Sequence, residues 1–171
     1  CYGDIYEPRG HKYIVDFDAD PVPMVTYKIG EIVFRKSLVL SQDANQLLIK
    51  YELVKSPAPV RLELKPFLSF RRVHDLTQQN GDARTAAKEI EGGVSFNLYE
   101  GFPDLNLQVS GTSKFNQAPC WYNGVTYSDE MRRGFDCRED LFVPGSFELE
   151  MKSGDSVVVS ANADAPAAQA G

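Results

Sequence analysis

Two stretches of this chain alternate apolar and polar residues with period two, and that pattern limits the fold more than any other feature. From Val60 to Arg71, Val60, Leu62, Leu64, Pro66, Leu68 and Phe70 share one side, opposite Arg61, Glu63 and Lys65. Only an extended strand sends successive side chains to opposite faces; a helix would scatter the same residues around its axis. A strand apolar on one side must bury that side against a second layer. Gln46 to Val54 repeats the pattern, with Leu47, Ile49, Tyr51 and Leu53 facing away from Lys50 and Glu52. Phe67 breaks the parity, which predicts that the far end of its strand is covered by another element.

The same reading predicts strands at Tyr13 to Phe17, Met24 to Ile29, Glu31 to Leu40, Val94 to Leu98, Leu105 to Ser110 and Phe147 to Met151. Ser153-Gly154-Asp155 is then expected to turn the chain into a closing hairpin with Ser156 to Ser160. Two prolines in Asp18 to Pro23 and the Asp43-Ala44-Asn45 turn separate the early strands. Asp82 to Ile90 reads as the one helix, capped by Asp82 and stopped by Gly92-Gly93. Asn123-Gly124 predicts a two-residue hairpin turn and Pro144-Gly145 a type II turn. Short strands punctuated in this way imply an all-β, antiparallel two-sheet β-sandwich over residues 1–160, followed by a linker or frayed tail at 161–171.

Composition narrows the partners. With 171 residues, 43% hydrophobic and 25% charged, the chain can form one domain with a real core. A net charge of −6 argues against nucleic acid, whose binding needs a basic face, and leaves a neutral polysaccharide open. No apolar run approaches the roughly 20 residues of a membrane span, so no membrane partner is expected. No signal-peptide pattern is present, and an opening at Cys1 suggests an excised piece. Three cysteines, Cys1, Cys120 and Cys137, fit reduced thiols in a cytoplasmic protein, with a Cys120–Cys137 bridge as the alternative. Metal-ligand spacing is absent, and Gly92-Gly93 lacks the context of a phosphate loop, so neither metal nor cofactor is expected.

Chemistry concentrates between Cys120 and Phe147. Trp121, the only tryptophan, stands with Tyr122 and Tyr127 as a candidate carbohydrate contact, since pyranose rings offer apolar C–H faces to flat aromatics. The same rings serve equally as core or interface filler. Arg132, Arg133 and Arg138 accompany Glu139 and Asp140, which suits ion pairs that pin a loop or a domain interface. Adjacent carboxylates on an extended chain point to opposite faces, so Glu139 and Asp140 are not a catalytic pair for one glycosidic bond. His11 and His74 are the only histidines.

Trp121, Tyr122, Tyr127, Glu130, Arg133, Gly134, Glu139, Asp140, Leu141, Pro144 and Gly145 together follow a recognisable pattern. Leu64 to His74, with Pro66 and Phe70-Arg71, adds a second part, and Tyr13 and Phe17 a third. From Gly10 to Ser160 the chain resembles the N-terminal domain of bacterial and archaeal glycogen debranching enzymes of the amylo-α-1,6-glucosidase type. The resemblance implies a galactose-mutarotase-like supersandwich placed before a catalytic (α/α)6-barrel domain of the same polypeptide. Family members carry further residues before the point matching Cys1, so part of the sandwich is expected to be missing. The family's acids lie in the barrel, which implies no catalytic residue here. The parent would be a glycoside hydrolase acting on α-1,6 branch points of glycogen or a related α-glucan. Three rival readings remain: a free-standing carbohydrate-binding module, a mutarotase-like sandwich enzyme using His74 with a carboxylate, and a structural domain with no ligand.

Overall fold

The computed structural model describes residues 9–163. The polar opening before Arg9 and residues 164–171 of the expected 161–171 tail lie outside the described residues, whereas Ala161 and Asn162 belong to a strand. A 3₁₀ turn, Gly10–Tyr13, leads into β1 (Ile14–Asp18), β2 (Met24–Ile29), β3 (Ile32–Leu40), β4 (Gln46–Lys55) and β5 (Val60–Leu64). Then come β6 (Lys88–Ile90), β7 (Gly93–Phe96), β8 (Leu105–Val109), β9 (Lys114–Thr126), α1 (Ser128–Arg133), β10 (Arg138–Met151) and β11 (Ser156–Asn162). They form two antiparallel sheets, one of eight strands in the order β1-β2-β3-β4-β11-β8-β7-β6 and one of three, β5-β10-β9. The arrangement is the sandwich that the alternation predicts.

Alternation explains why the layers meet. Leu53 of β4, Phe96 of β7, Val109 of β8 and Val157 of β11 face Phe142, Phe147 and Met151 of β10, and all are nearly or wholly buried. Phe96 and Phe115 bridge the layers at 5.8 Å between ring centroids, and Phe115 meets Phe147 at 4.9 Å. Fully burying side chains of this size stabilises the fold by about 1.5–3 kcal/mol each.

Five expectations require correction. Asp82 to Ile90 is not a helix. Arg84 donates its N–H to Leu98 O at 2.9 Å, and Lys88–Ile90 pairs with β7. A helix this short is marginal alone, and sheet pairing supplies the same backbone bonds with added burial. The one α-helix among the described residues is α1, inside the charged segment, ended by Gly134 in the left-handed conformation.

Asn123-Gly124 is not a hairpin turn. β9 runs straight through it, and three β9 steps, Tyr122 to Val125, oppose two on β10, Glu139 to Leu141. The positive φ that Gly124 provides, 73°, serves a bulge instead. Pro144-Gly145 likewise lies within β10, beside a second register shift. Here Gly145 is required by contact: a Cβ would strike the Asn116 carbonyl oxygen on β9.

Ser153-Gly154-Asp155 turns the chain, but not into a hairpin. β10 belongs to the small sheet, whereas β11 inserts between β4 and β8 of the large one. The turn therefore joins layers, as does the connection from β4 to β5. The long Val60 to Arg71 strand is also interrupted. Regular pairing stops at Leu64, and Leu68 resumes contact with Phe142 through N–H···O bonds of 2.8 and 3.2 Å. Pro66 between them has no N–H to donate. Phe67, expected to be covered, stays 45% exposed and makes only an edge-on contact with Tyr122 at 4.7 Å.

Candidate functional site

The two sequence stretches that carry the resemblance meet around Glu139. This residue is the second of the long strand β10 and is wholly buried. Its carboxylate accepts a two-pronged contact from the Arg71 guanidinium, which arrives from the segment after β5. Tyr127, at the end of β9, donates its hydroxyl to Glu139 Oε2 at 2.5 Å, and the Thr77 N–H reaches Oε1 at 3.3 Å. Arg71 also donates to the carbonyls of Arg72 and Val73, at 3.0 and 2.8 Å. An isolated buried carboxylate would be costly, and these donors are what make its burial tolerable.

The electrostatics follow from the geometry. Burial pushes the Glu139 carboxyl up, but the hydrogen bonds from Arg71, Tyr127 and Thr77 outweigh it, and its pKa falls below the ordinary value. Arg71 is raised, chiefly by its hydrogen bond to Glu139. Tyr127 is raised by burial and by the Glu139 carboxylate it faces. All three therefore hold their ordinary charge states firmly near neutrality.

Asp140 points the other way, as neighbours on a strand must. Its oxygens accept the N–H of Gln79 and of Gly124, each at 2.8 Å, and these bonds lower its pKa. The backbone of Asp140 donates to Thr77 O at 2.7 Å, and Gln78 Nε2 to Arg138 O at 2.9 Å. Two consecutive carboxylates thus tie residues 71–79 to the β9 bulge and to β10.

Over this lock lies a cleft of about 800 Å³ between residues 71–76 and the α1 segment. His74, Glu130, Arg133, Phe135 and Asp136 line it, with Arg71 and Tyr127 in its wall. The Phe135 ring is 65% exposed. Such a site offers an apolar ring, hydrogen-bonding groups of both signs and a rigid floor.

The residues singled out from sequence separate. Tyr127 lies in the cleft wall, while Trp121 packs edge-on against Phe142 in the core at 5.4 Å and Tyr122 meets Phe67. Trp121 and Tyr122 are strand neighbours facing opposite ways, so the three rings do not make one continuous platform. Arg132 pairs with Asp129, and Arg133 with Glu130 at 3.1 Å, both within α1. Neither they nor Arg138 hold Glu139; Arg71 does. Arg71 stands in the Phe70-Arg71 pattern but carries no mark of a site in sequence. Its position directly after an alternating strand was the available signal. Phe135 and Asp136 gave none, because loop closure brings them together with His74, which the sequence named only for a mutarotase-like reading. Cys120 and Cys137 are free thiols. Among the described residues no group of acidic, histidine or cysteine side chains is arranged to hold a metal ion, and no helix is long and apolar enough to cross a membrane.

No curated protein and no solved structure gives a significant match to the chain. A family model does match, over residues 1–158, nearly the whole sequence and including both stretches that meet at Glu139. The chain belongs to the family described as glycogen debranching enzyme N terminal.

Proposed function

We propose that this chain is the non-catalytic β-sandwich domain of a cytoplasmic glycogen debranching enzyme. In this reading it guides an α-glucan chain toward a catalytic (α/α)6-barrel of the same polypeptide and helps to dock that barrel. The observation that carries the reading is the cleft around Phe135, built on the buried Arg71–Glu139–Tyr127 lock. A pyranose presents apolar C–H faces to an exposed ring and hydroxyls to flanking polar groups, and Glu130, Arg133, Asp136 and His74 supply such groups. A pre-set floor reduces the ordering cost of binding. Tyr127 remains a contact candidate at the wall; Trp121 and Tyr122, half-buried elsewhere, are placed to support the sheet or an interdomain contact.

The test is titration of the purified chain with maltooligosaccharides, followed by NMR. Chemical-shift changes confined to the cleft, and weakened at least fivefold by Phe135→Ala, are expected. No change at high sugar removes glucan contact from the reading and leaves domain docking. Affinity that needs no barrel favours the free-standing module.

One observation favours a second reading. His74 shares its cleft with Glu130 and Asp136, the convergence a mutarotase-like enzyme requires. Polarimetry of fresh α-D-glucose decides this: acceleration of anomerisation lost in His74→Ala establishes it, and the spontaneous rate alone dismisses it.

A further inference from the structure

Asn-Gly occurs twice in the chain, at Asn80-Gly81 and at Asn123-Gly124. The dipeptide favours succinimide formation, because a glycine nitrogen meets no side chain of its own as it approaches the preceding asparagine amide. The two pairs are neighbours in the fold: Asn123 Nδ2 donates to Gln79 Oε1 at 2.7 Å. Their surroundings differ at each atom the reaction uses.

At Asn123-Gly124 the attacking nitrogen is held. The Gly124 N–H is donated to Asp140 Oδ1 at 2.8 Å. Removing that proton would set an amide anion directly against a carboxylate. The Asn123 side chain is tied at the same time to Gln79. At Asn80-Gly81 the attacking nitrogen is open. The Gly81 N–H makes no hydrogen bond among the described residues, and the space around its Cα is empty. Asn80 Oδ1 accepts the N–H groups of Asp82 and Ala83, each at 3.1 Å. Two backbone donors on one carbonyl oxygen stabilise the oxyanion that forms when the carbon is attacked. Asn80 Nδ2 donates to the Gln78 carbonyl at 3.0 Å and to the Tyr99 hydroxyl at 2.8 Å.

We propose that Asn80 is a site of spontaneous deamidation, and that Asp140 shields Asn123 from the same reaction. The Gly81 nitrogen gives its proton to solvent and bonds to Asn80 Cγ. The Cγ–Nδ2 bond then breaks. The departing nitrogen, basic once the carbon is tetrahedral, takes a proton from the Tyr99 hydroxyl and leaves as ammonia, and solvent restores the hydroxyl. Water opens the succinimide at either carbonyl to give aspartate or isoaspartate. One amide and one water are consumed; one carboxyl group and ammonia are formed.

The product acts on the lock. The new carboxylate has no N–H for the Gln78 carbonyl and repels it. Isoaspartate also lengthens the backbone directly after Gln79. Gln78 and Gln79 hold β10 through the Arg138 carbonyl and the Asp140 carboxylate, at 2.9 and 2.8 Å. Conversion at Asn80 therefore loosens the tie between residues 77–79 and β10.

Both sites are read in one experiment. The whole chain is incubated at mildly alkaline pH, folded and in urea, and each asparagine is followed by peptide mass spectrometry. Dividing each folded rate by the rate of the same site in urea removes the effect of flanking sequence. That ratio is expected to be at least fivefold higher at Asn80 than at Asn123. Gly81→Ala, which enters open space, is expected to slow Asn80 at least fivefold with an unchanged circular dichroism spectrum. Asp140→Ala is expected to raise the Asn123 rate at least threefold; Gln79→Ala, which frees the Asn123 side chain, decides the point if that variant does not fold. The converted chain is expected to melt at a lower temperature than the unconverted one. A ratio at Asn123 equal to or above that at Asn80, no conversion of either site in the folded chain, an Asn80 rate indifferent to Gly81→Ala, or an Asn123 rate that stays level or falls on its release would each overturn the proposal. An unchanged melting temperature after conversion would overturn the effect on the lock.

Discussion

At the scale of single residues, Glu139 is the pivot. It is wholly buried and satisfied by three donors, so removing it leaves the Arg71 guanidinium without its partner. Glu139→Ala is expected to cost about 3–5 kcal/mol in chemical denaturation. Tyr127→Phe, which loses one hydrogen bond to a charged group, is expected to cost about 1.5–3 kcal/mol. Replacing Arg71 and Glu139 together by Met and Leu should cost less than the sum of the single changes, and strict additivity would show that the pair is not coupled. The pH dependence has a definite sign. Glu139 and Asp140 are both depressed in the folded state from ordinary values of 4.5 and 3.8. Their contribution is therefore complete above those values and is lost as pH falls through the lower folded values. Melting temperature should drop on the acid side, and the drop should be shallower in a chain carrying Asp140→Asn.

At the scale of elements, local signals are correct about backbone shape and wrong about its use. Asn123-Gly124 asks for positive φ at both residues and receives it at Gly124 alone, in a bulge whose N–H is held by Asp140. A turn dipeptide cannot reveal whether the strand beyond it will return along its neighbour or continue. Gly145 is fixed by contact with the facing backbone. Gly145→Ala is expected to destabilise by about 1–3 kcal/mol through overpacking. Gly81→Ala, with open space around it, serves as the neutral comparison in the same thermal melts. The helix moved for a related reason. Asp82 to Ile90 has the residues of a helix, with Ala83, Ala86, Ala87 and Ile90 at helical spacing, but its last residues pair with β7 instead, whereas Ser128–Arg133 has acids in its first turn, arginines in its last and a left-handed glycine cap. Gly134→Ala should fray α1 and, by releasing Phe135, loosen the cleft. A cost of about 1 kcal/mol is expected from the lost left-handed cap.

At the scale of the whole molecule, the large sheet closes around the last strand. β11 enters the middle of that sheet, between β4 and β8, so the chain cannot complete its core until residues 156–162 arrive. Deleting the chain from Ser156 onward should abolish cooperative unfolding, and a sharp transition in that variant would contradict this account. Catalysis belongs to this scale as well. The purified chain is expected to release no glucose from a branched limit dextrin, measured by a coupled glucose assay. Most of the strands, their apolar faces and the class of fold were legible in the sequence, because alternation with period two is a local property of neighbouring residues; β6, read as part of a helix, and β9 with the first part of β10, read as turns and a loop, were not. So was the family, since its residues are linear. Sheet membership, the crossing between β10 and β11, and the meeting of Arg71 with Glu139 were decided only by tertiary structure. Each depends on partners distant along the chain, β4 and β8 in the case of β11, and burial selects among the pairings that local preference leaves open.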